Sequence, residues 1–353
     1  MSSKRTKTNS HSFILTLAIG SLGNPFASLA QKNTAFSERE VTFNGAKGVR
    51  LEGTLTMPNS PGKHPAFLMI AGSGPTDRDG NSALGIKTDL FKQLSASLAK
   101  DGVATLRFDK RVAGSLRSSI PRDPVGLSDY CSWENFVEDA MAGYRFLRKE
   151  PGVDPNKTGL LGHSEGGMLA LQGAAGMKSE KPVALILMGT PGRNIAVILR
   201  EQIGGLLAAQ KASPEQTKFF LDKQDSICAD IKKSGKVPAN VPAGLAALYP
   251  AYLGKFLQSE LLFEPTKDAA SFAGPVLLIQ GEKDVQISAE RDAPELAKAL
   301  HTRRNDRHES FIVPNASHNL KHVSEKSDPG FGGDVDPAVF SKLRTWIKSN
   351  LKG

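Results

Sequence analysis

The chain has 353 residues, of which 39% are hydrophobic and 7% aromatic, as in a globular protein with a substantial core. It contains no internal repeat, which argues against a solenoid or a propeller. The formal charge is +9, but the cations are spread along the chain and form no basic stripe with aromatic residues between them, so nucleic acid is not an expected partner.

The first thirty residues (1–30) predict a secretory signal peptide. Three cations open the segment, 13–22 is a short apolar run, and Ser28 and Ala30 supply the small residues that a signal peptidase reads. The apolar run is too short for a helix to span a bilayer of ~30 Å. We predict cleavage after Ala30 and a secreted or periplasmic protein with no membrane-spanning segment. Removing three cations and no acidic residue takes the charge from +9 to +6.

Strands and helices alternate through the next part of the chain. Apolar alternation around Asn44-Gly45 predicts a β-hairpin over 40–57. Short continuous apolar runs predict strands buried on both faces of a parallel sheet, with helical spacing between them. In chain order the predictions are strand 66–71, helix 84–100, strand 103–108, helix 133–148, strand 158–161, helix 167–175 and strand 183–188. This order predicts an α/β fold with a mainly parallel, doubly wound sheet.

The alternation stops over 193–272, which is polar and helix-prone. A stretch of about eighty residues is too long for a bare loop, so we predict several helices there. The sheet resumes with strand 275–280, helix 290–300, strand 310–313 and helix 337–351. The predicted organisation is a core in two parts, 31–192 and 273–353, with a helical cap inserted between them. Most apolar cap residues should pack cap helices and some should line an acyl site: Leu206, Leu207, Phe219, Phe220, Tyr249, Tyr252 and Phe256.

The clearest chemical motif is Gly-x-Ser-x-Gly around Ser164. It directly follows a predicted strand and directly precedes a predicted helix, the setting that a nucleophile elbow requires. Small residues at Gly162 and Gly166 let the strand and the helix approach each other, so the serine hydroxyl projects at the carboxyl end of the sheet. We predict that Ser164 is a nucleophile.

A serine hydroxyl needs a base to remove its proton, and in this fold the acid and the base follow the nucleophile in that order. Asp284 lies in the loop after strand 275–280, and His318 lies after the last strand. Both loops fall at the edge of the sheet where such sites are built. The alternatives are His322 as the base and Glu282 or Asp292 as the acid.

Acyl transfer also needs donors for the oxyanion of the tetrahedral intermediate. One expected donor is the backbone N–H of Glu165, directly after the nucleophile. The other should come from the glycine-rich loop after strand 66–71, where glycines allow the backbone to approach a substrate. We choose the N–H of Ser73, with Gly74 as the competitor.

These motifs carry a family resemblance. The segment 72–81, the sequence Arg-Phe-Asp-Lys-Arg at 107–111 and the elbow resemble those of bacterial α/β-hydrolases of the esterase and serine-aminopeptidase-like group. The resemblance runs from about Glu40 to the C-terminus and is weakest in the cap. It implies an α/β-hydrolase fold, the triad Ser164, Asp284 and His318, hydrolysis of small-molecule carboxylic esters, and no metal or organic cofactor.

The chain departs from this family after Arg111, where a glycine-rich segment is usual and Val112-Ala113-Gly114-Ser115 stands instead. The departure affects the loop and the pocket beside it.

The charged loop Asp77-Arg78-Asp79 is expected to pair internally or with 109–111 and so to hold the oxyanion loop in shape. We expect Trp133, Phe136 and Tyr144 to belong to the core.

The two cysteines of the chain are Cys131 and Cys228. An oxidising compartment would permit a disulfide between them. Two separate buried thiols fit the sequence equally well, because sequence does not reveal whether the two residues meet.

The leading functional hypothesis is an esterase that works through an acyl-enzyme. A peptidase or an acyltransferase would use the same triad. An aminopeptidase would also need acidic groups to hold a free amine, for which Glu201, Glu260 and Glu264 are candidates. A non-catalytic binding protein on this fold is a remote third hypothesis, because such proteins usually lose a triad member. The sequence leaves the substrate and the oligomeric state open.

Overall fold

The computed structural model describes residues 35–83, 85–325 and 328–351. The predicted signal peptide lies outside the described residues. None of the helices in the described part of the chain is long and apolar enough to cross a membrane.

A single sheet of eight strands runs through the described residues, in the order β1-β2-β4-β3-β5-β6-β7-β8. The β1–β2 hairpin is antiparallel, β2 pairs antiparallel with β4, and all other pairs are parallel. The strands are β1 Phe36–Asn44, β2 Arg50–Pro58, β3 His64–Ile70, β4 Ala104–Phe108, β5 Val153–His163, β6 Leu185–Met188, β7 Val276–Gly281 and β8 His308–Val313. The prediction of a mainly parallel, doubly wound sheet is confirmed.

Helices cover both faces of this sheet. Within the described residues they are α1 Leu90–Lys100, α2 Pro124–Tyr130, α3 Trp133–Arg148, α4 Glu165–Gly176, α5 Ile195–Ala209, α6 Pro214–Ser234, α7 Gly254–Leu262, α8 Pro265–Ser271, α9 Asp292–His301 and α10 Pro337–Leu351. Along β3, Phe67 and Met69 pack with α1 and α10, whereas Leu68 and Ile70 pack with α3 and α4. This period of two explains why the strand reads as a continuous apolar run.

Helices α5 to α8 fall within the predicted insertion, and we call 195–271 the helical insertion. Local sequence sets its helix ends. Ser213 and Gln216 form a capping box at the start of α6 with Pro214 in the first turn, and Gly235 ends that helix at φ 65°.

Two element predictions need correction. Helix α1 begins at Leu90 and not at residue 84, because the loop before it is held by side chains. Asn81 Oδ1 accepts hydrogen bonds from the N–H groups of Thr88 and Asp89, and Asp89 has φ 49°. The short helix α2 was not predicted. The sequence nevertheless contains the residues that begin this helix. Asp123 is the N-cap, and its side chain accepts a hydrogen bond from the N–H of Gly126. Pro124 occupies the first helical position.

The two cysteines are separate buried thiols. Cys131 follows α2, and Cys228 lies in α6 beside the hydroxyl of Tyr249. Of the two possibilities that the sequence left open, the structure contains the unbridged one.

Candidate active site

Ser164 occupies the turn between β5 and α4, with φ 55° and ψ −125°. A non-glycine residue adopts such a positive φ only where its surroundings enforce it. A Cβ on Gly162 would lie 2.3 Å from the carbonyl oxygen of Gly166, and a Cβ on Gly166 would lie 2.0 Å from that of Ile70. The two glycines therefore permit the close approach of strand and helix that forces the turn.

His318 and Asp284 meet on the loops after β8 and β7. Nδ1 of His318 lies 2.6 Å from Oδ2 of Asp284, and both side chains are buried. Because a carboxylate only accepts, Nδ1 of His318 is the donor in this contact, and Nε2 is the ring nitrogen left for another partner. Ser164 and His318 line the same cavity of about 290 Å³, which we call the small cavity. The two residues therefore border a common space.

The carboxylate of Asp284 accepts four hydrogen bonds. Besides His318, Oδ2 accepts a hydrogen bond from Nε2 of Gln280 at 2.7 Å. Oδ1 accepts from the N–H groups of Gln286 at 2.7 Å and Ile287 at 2.9 Å. These donors stabilise a buried negative charge and prevent the side chain from turning. Gln280 was not singled out from the sequence, where its only signal is its position on β7, four residues before Asp284.

The residues named as the alternative base and acids lie outside the contact between His318 and Asp284. His322 is exposed. Oε2 of Glu282 accepts from the N–H of Asn315. Asp292 is fully buried and accepts from Arg193 and from the N–H groups of Gly192 and Arg193, so it anchors the chain where the helical insertion begins. Among the residues named for acid and base, the structure brings together Asp284 and His318.

His163, the residue before Ser164, is a buried component of the site that sequence reasoning did not assign. Its Nε2 lies 2.9 Å from the carbonyl oxygen of His318, and the two rings are 4.6 Å apart. Burial, with the His318 ring nearby, lowers the pKa of His163 to about 3, so the ring is neutral and Nε2 donates to that carbonyl. The bond ties the nucleophile turn to the loop that carries His318.

A buried ion pair joins Lys110 to Glu165, the residue after Ser164. Nζ of Lys110 is 2.6 Å from Oε1 of Glu165 and donates to the carbonyl oxygen of Gly72 at 3.0 Å. Lys110 thus connects the loop after β3 to the first residue of α4. The sequence showed the Asp-Lys-Arg string but not which groups its lysine would reach.

Ser73 and Glu165 are the residues whose N–H groups we predict as oxyanion donors. Both residues line the same cavity as Ser164. Within the described residues, no protein acceptor takes either N–H. Gly74 lines the cavity as well, and the choice between Ser73 and Gly74 stays a prediction.

The charged loop pairs partly as predicted, because Arg78 binds Asp109 whereas the partner of Asp79, Arg107, was not among the expected residues. Arg78 donates from Nη2 to Asp109 Oδ2 at 2.6 Å, and its backbone N–H donates to Oδ1 at 2.7 Å. Asp79 pairs with Arg107. These bonds hold the segment after Ser73 against the end of β4.

A second, larger cavity of about 640 Å³ is also lined by Ser164, and we call it the large cavity. Its apolar lining comes mainly from the helical insertion, with a smaller share from α2 and the loop before it. Tyr252 and Phe256 line it as predicted for part of the cap, and so does Val112, at the departure from the family pattern. Trp133, Phe136 and Tyr144 are all buried in the core, as predicted. Phe136, in the first turn of α3 beside Nζ of Lys110, also lines the large cavity.

The large cavity also contains a carboxyl group. Glu260, on α7, is 7% exposed, and its side chain has no hydrogen-bond partner among the described residues. Burial first, and the charge of Glu165 second, raise the pKa of Glu260 to about 8. The other two glutamates named for amine binding lie elsewhere: Glu201 pairs with Arg193 and Arg291, and Glu264 accepts from Asn194.

This chain is similar to one esterase by sequence and to solved structures of others by fold. Esterase EstD of Thermotoga maritima is 26% identical over 317 residues, which are 89% of this chain and 68% of EstD. The solved structure of Est1E from Butyrivibrio proteoclasticus with ferulic acid matches with a TM-score of 0.55 and 16% identity, covering 88% of this chain and 99% of that one. An esterase from Pyrococcus furiosus matches with a TM-score of 0.53 and 17% identity, covering 91% and 94%.

The match to a family model covers most of the fold. Residues 68–329, from β3 through the loop that carries His318, match the model described as the alpha/beta hydrolase family. That span contains the glycine-rich loop after β3, the turn at Ser164, the helical insertion and the loop that carries Asp284. The chain belongs to the alpha/beta hydrolase family.

Proposed function

We propose that this protein is a serine esterase that cleaves small-molecule carboxylic esters through an acyl-enzyme. The observation that carries the proposal is the 2.6 Å contact between His318 and Asp284 on a cavity that Ser164 also lines. EstD, a relative over most of this chain, is an esterase by name, which supports the same activity.

In the proposed reaction, Nε2 of His318 takes the proton of Ser164 as its hydroxyl oxygen attacks the ester carbonyl carbon. The imidazolium that forms is stabilised by Asp284, and it then gives the proton to the leaving alcohol oxygen. A water molecule, deprotonated by the same nitrogen, attacks the acyl-enzyme, and the acid is released as Ser164 regains its proton. Each proton taken is returned, so the enzyme is unchanged after one turnover.

The proposed oxyanion donors are the N–H groups of Glu165 and Ser73. Each such donor contributes about 3 kcal/mol of transition-state stabilisation. The N-terminus of α4 adds a favourable dipole at the same place, because Glu165 is its first residue.

The decisive experiment combines a fluorophosphonate probe with a nitrophenyl ester assay. Wild-type protein should label at one site and hydrolyse the ester, and Ser164→Ala should do neither while keeping its thermal unfolding transition. Ser341→Ala, on the surface of α10, is the matched control and should behave as wild type. Labelling that persists in Ser164→Ala would rule out this nucleophile. Absence of both labelling and hydrolysis in the wild type would favour a binding protein.

Glu260 favours a second candidate, hydrolysis of aminoacyl substrates with the same triad. A carboxyl group with no side-chain partner in the substrate cavity is suited to hold a protonated amine, because the positive charge of the bound amine would favour the ionised carboxylate. Turnover of an aminoacyl anilide should be compared with that of a nitrophenyl ester of similar size. Faster turnover of the anilide, with the preference lost in Glu260→Gln, would favour the peptidase over the esterase.

We also propose that the protein is exported. The support is the basic, apolar and small-residue order of the first thirty residues. Expression of the full chain in a Gram-negative host should yield a periplasmic or secreted form whose N-terminal residue is Gln31. A cytoplasmic product that retains the first thirty residues would contradict the proposal.

A further inference from the structure

Ser164 lines two cavities that differ in size and in their other lining residues. Ser164, Ser73 and Gln286 line both of them. The small cavity, of about 290 Å³, contains His318. The large cavity, of about 640 Å³, is lined mainly by apolar side chains and does not include His318 among its lining residues.

The chemistry of the proposed reaction distinguishes these two spaces. In the tetrahedral intermediate, the carbon carries the oxygen of Ser164, the oxyanion, the acyl chain and the leaving oxygen. The nitrogen that took the serine proton must next protonate the leaving oxygen, so that oxygen lies on the side of His318. The acyl chain then extends away from His318.

We infer that the large cavity binds the acyl group and the small cavity binds the leaving alcohol. The inference rests on the proposed function and gives it a substrate class: esters of a sizeable apolar acid with a small alcohol. Burial of the acyl chain among residues such as Leu199, Phe256 and Leu257 supplies the binding free energy.

Two substitutions separate the cavities. Leu199, on α5, lines only the large cavity, and Leu199→Trp should fill part of it. Ile86 lines the small cavity and not the large one, and Ile86→Trp should fill part of that space. Neither residue belongs to the catalytic machinery. Retention of the wild-type thermal transition and of hydrolysis of a short acetate ester establishes that each variant is folded.

Each variant is assayed with two substrate series. One series combines methanol with acids of increasing length, and the other combines acetic acid with alcohols of increasing size. Leu199→Trp should lower kcat/KM for the longer acids by at least about tenfold, the effect of one or two methylenes in an apolar pocket, and leave the alcohol series unchanged. Ile86→Trp should lower kcat/KM for the larger alcohols and leave the acid series unchanged.

Burst kinetics provide an independent readout. The alcohol has left before deacylation, so Ile86→Trp should slow acylation by bulky alcohol esters and leave the deacylation rate of a given acyl group at its wild-type value. Leu199→Trp should change both steps for long acyl groups.

The reverse assignment, with Leu199→Trp restricting the alcohol and Ile86→Trp the acid, would overturn the inference, and so would equal losses in both series. Those outcomes would leave the esterase proposal standing. A wild-type protein that hydrolyses no ester would instead contradict the proposed function itself.

Discussion

At the scale of single residues, the role that we propose for His318 as the base depends on which of its ring nitrogens carries the proton. Asp284 decides this, since its carboxylate accepts from Nδ1 and is itself held by Gln280 and by two backbone N–H groups. An amide in place of the carboxylate would present its own N–H groups to the ring and would not stabilise an imidazolium.

Asp284→Asn should therefore lower kcat for ester hydrolysis by about 10⁴-fold, as expected when the catalytic histidine is held in the wrong tautomer. Steady-state kinetics with a nitrophenyl ester would measure the loss, and thermal unfolding would verify folding. Glu282→Gln, two residues earlier and outside the contact with His318, is the control and should keep wild-type kcat. Equal losses in the two variants would exclude the assigned role of Asp284.

The second prediction at this scale concerns Glu260 and the pH dependence of KM. Its pKa of about 8 means that the carboxyl group is mostly neutral at pH 7 and becomes charged above about pH 8. A charge in the apolar cavity opposes the binding of an apolar acyl chain. KM for a medium-chain ester should therefore rise above pH 8 in the wild type and stay flat in Glu260→Gln. A wild-type KM that does not change between pH 6 and 9.5 would refute this.

The same shift has a consequence for stability. Because the pKa in the folded protein lies above the ordinary glutamate value, the folded state binds more protons than the unfolded state between about pH 4.5 and 8. The free energy of unfolding then falls as the pH rises through that window. In Glu260→Gln this contribution disappears, so its stability relative to wild type should increase with pH, as thermal melts at pH 5 and pH 8.5 would reveal.

At the scale of elements, Lys110 connects three segments: the end of β4, the loop after β3 and the start of α4. The carbonyl of Gly72 and the N–H of Ser73 belong to one planar trans peptide, so they point in opposite directions. By holding that carbonyl, Lys110 fixes the direction of the N–H that we assign to the oxyanion. By pairing with Glu165, it also holds the residue that carries the other donor.

Lys110→Met should thus lower kcat with little change in KM, because the oxyanion exists only in the transition state. The loss should be on the order of 10²–10³, the cost of one misplaced donor. Lys110→Arg, which can still donate to Gly72 and Glu165, should recover part of the rate. Steady-state kinetics on both variants, with fluorophosphonate labelling to confirm an intact nucleophile, would measure this. A purely structural role predicts instead that kcat and the unfolding temperature fall together.

Sequence patterns predicted the elements that build the site but only some of the contacts between them. Helices α3 and α10 match their predicted bounds, because a strong amphipathic period fixes a long helix. Helix α1 starts later than predicted because Asn81 and Thr88 form bonds that periodicity does not detect. The roles of His163 and Gln280 depend on which loops meet at the sheet edge, and spacing along the chain does not carry that information.

At the scale of the whole molecule, one buried pair joins parts that are distant in sequence. Arg111 donates to both carboxylate oxygens of Asp139 on α3, at 2.6 and 2.7 Å, and to the carbonyl oxygens of Ala46 and Tyr130. Asp139 also accepts from the N–H of Ala46, in the β1–β2 hairpin turn. The hairpin, the end of α2 and the loop after β4 are thereby attached to α3.

Asp139→Ala should lower the free energy of unfolding by about 3–5 kcal/mol, because it leaves the Arg111 guanidinium buried without its counter-charge. Urea denaturation followed by circular dichroism would measure the loss. Asp222→Ala is the matched control: it removes the partner of Lys218 in an exposed pair on α6, where solvent screens the charges, and should change stability far less. A similar loss in both variants would mean that the Arg111–Asp139 pair does not hold the hairpin, α2 and α3 together.

The large cavity should respond to the same substitution, because α2 and the loop after β4 supply Leu127 and Val112 to its wall. We therefore expect Asp139→Ala, while still folded at low temperature, to raise KM for long acyl esters more than for acetate.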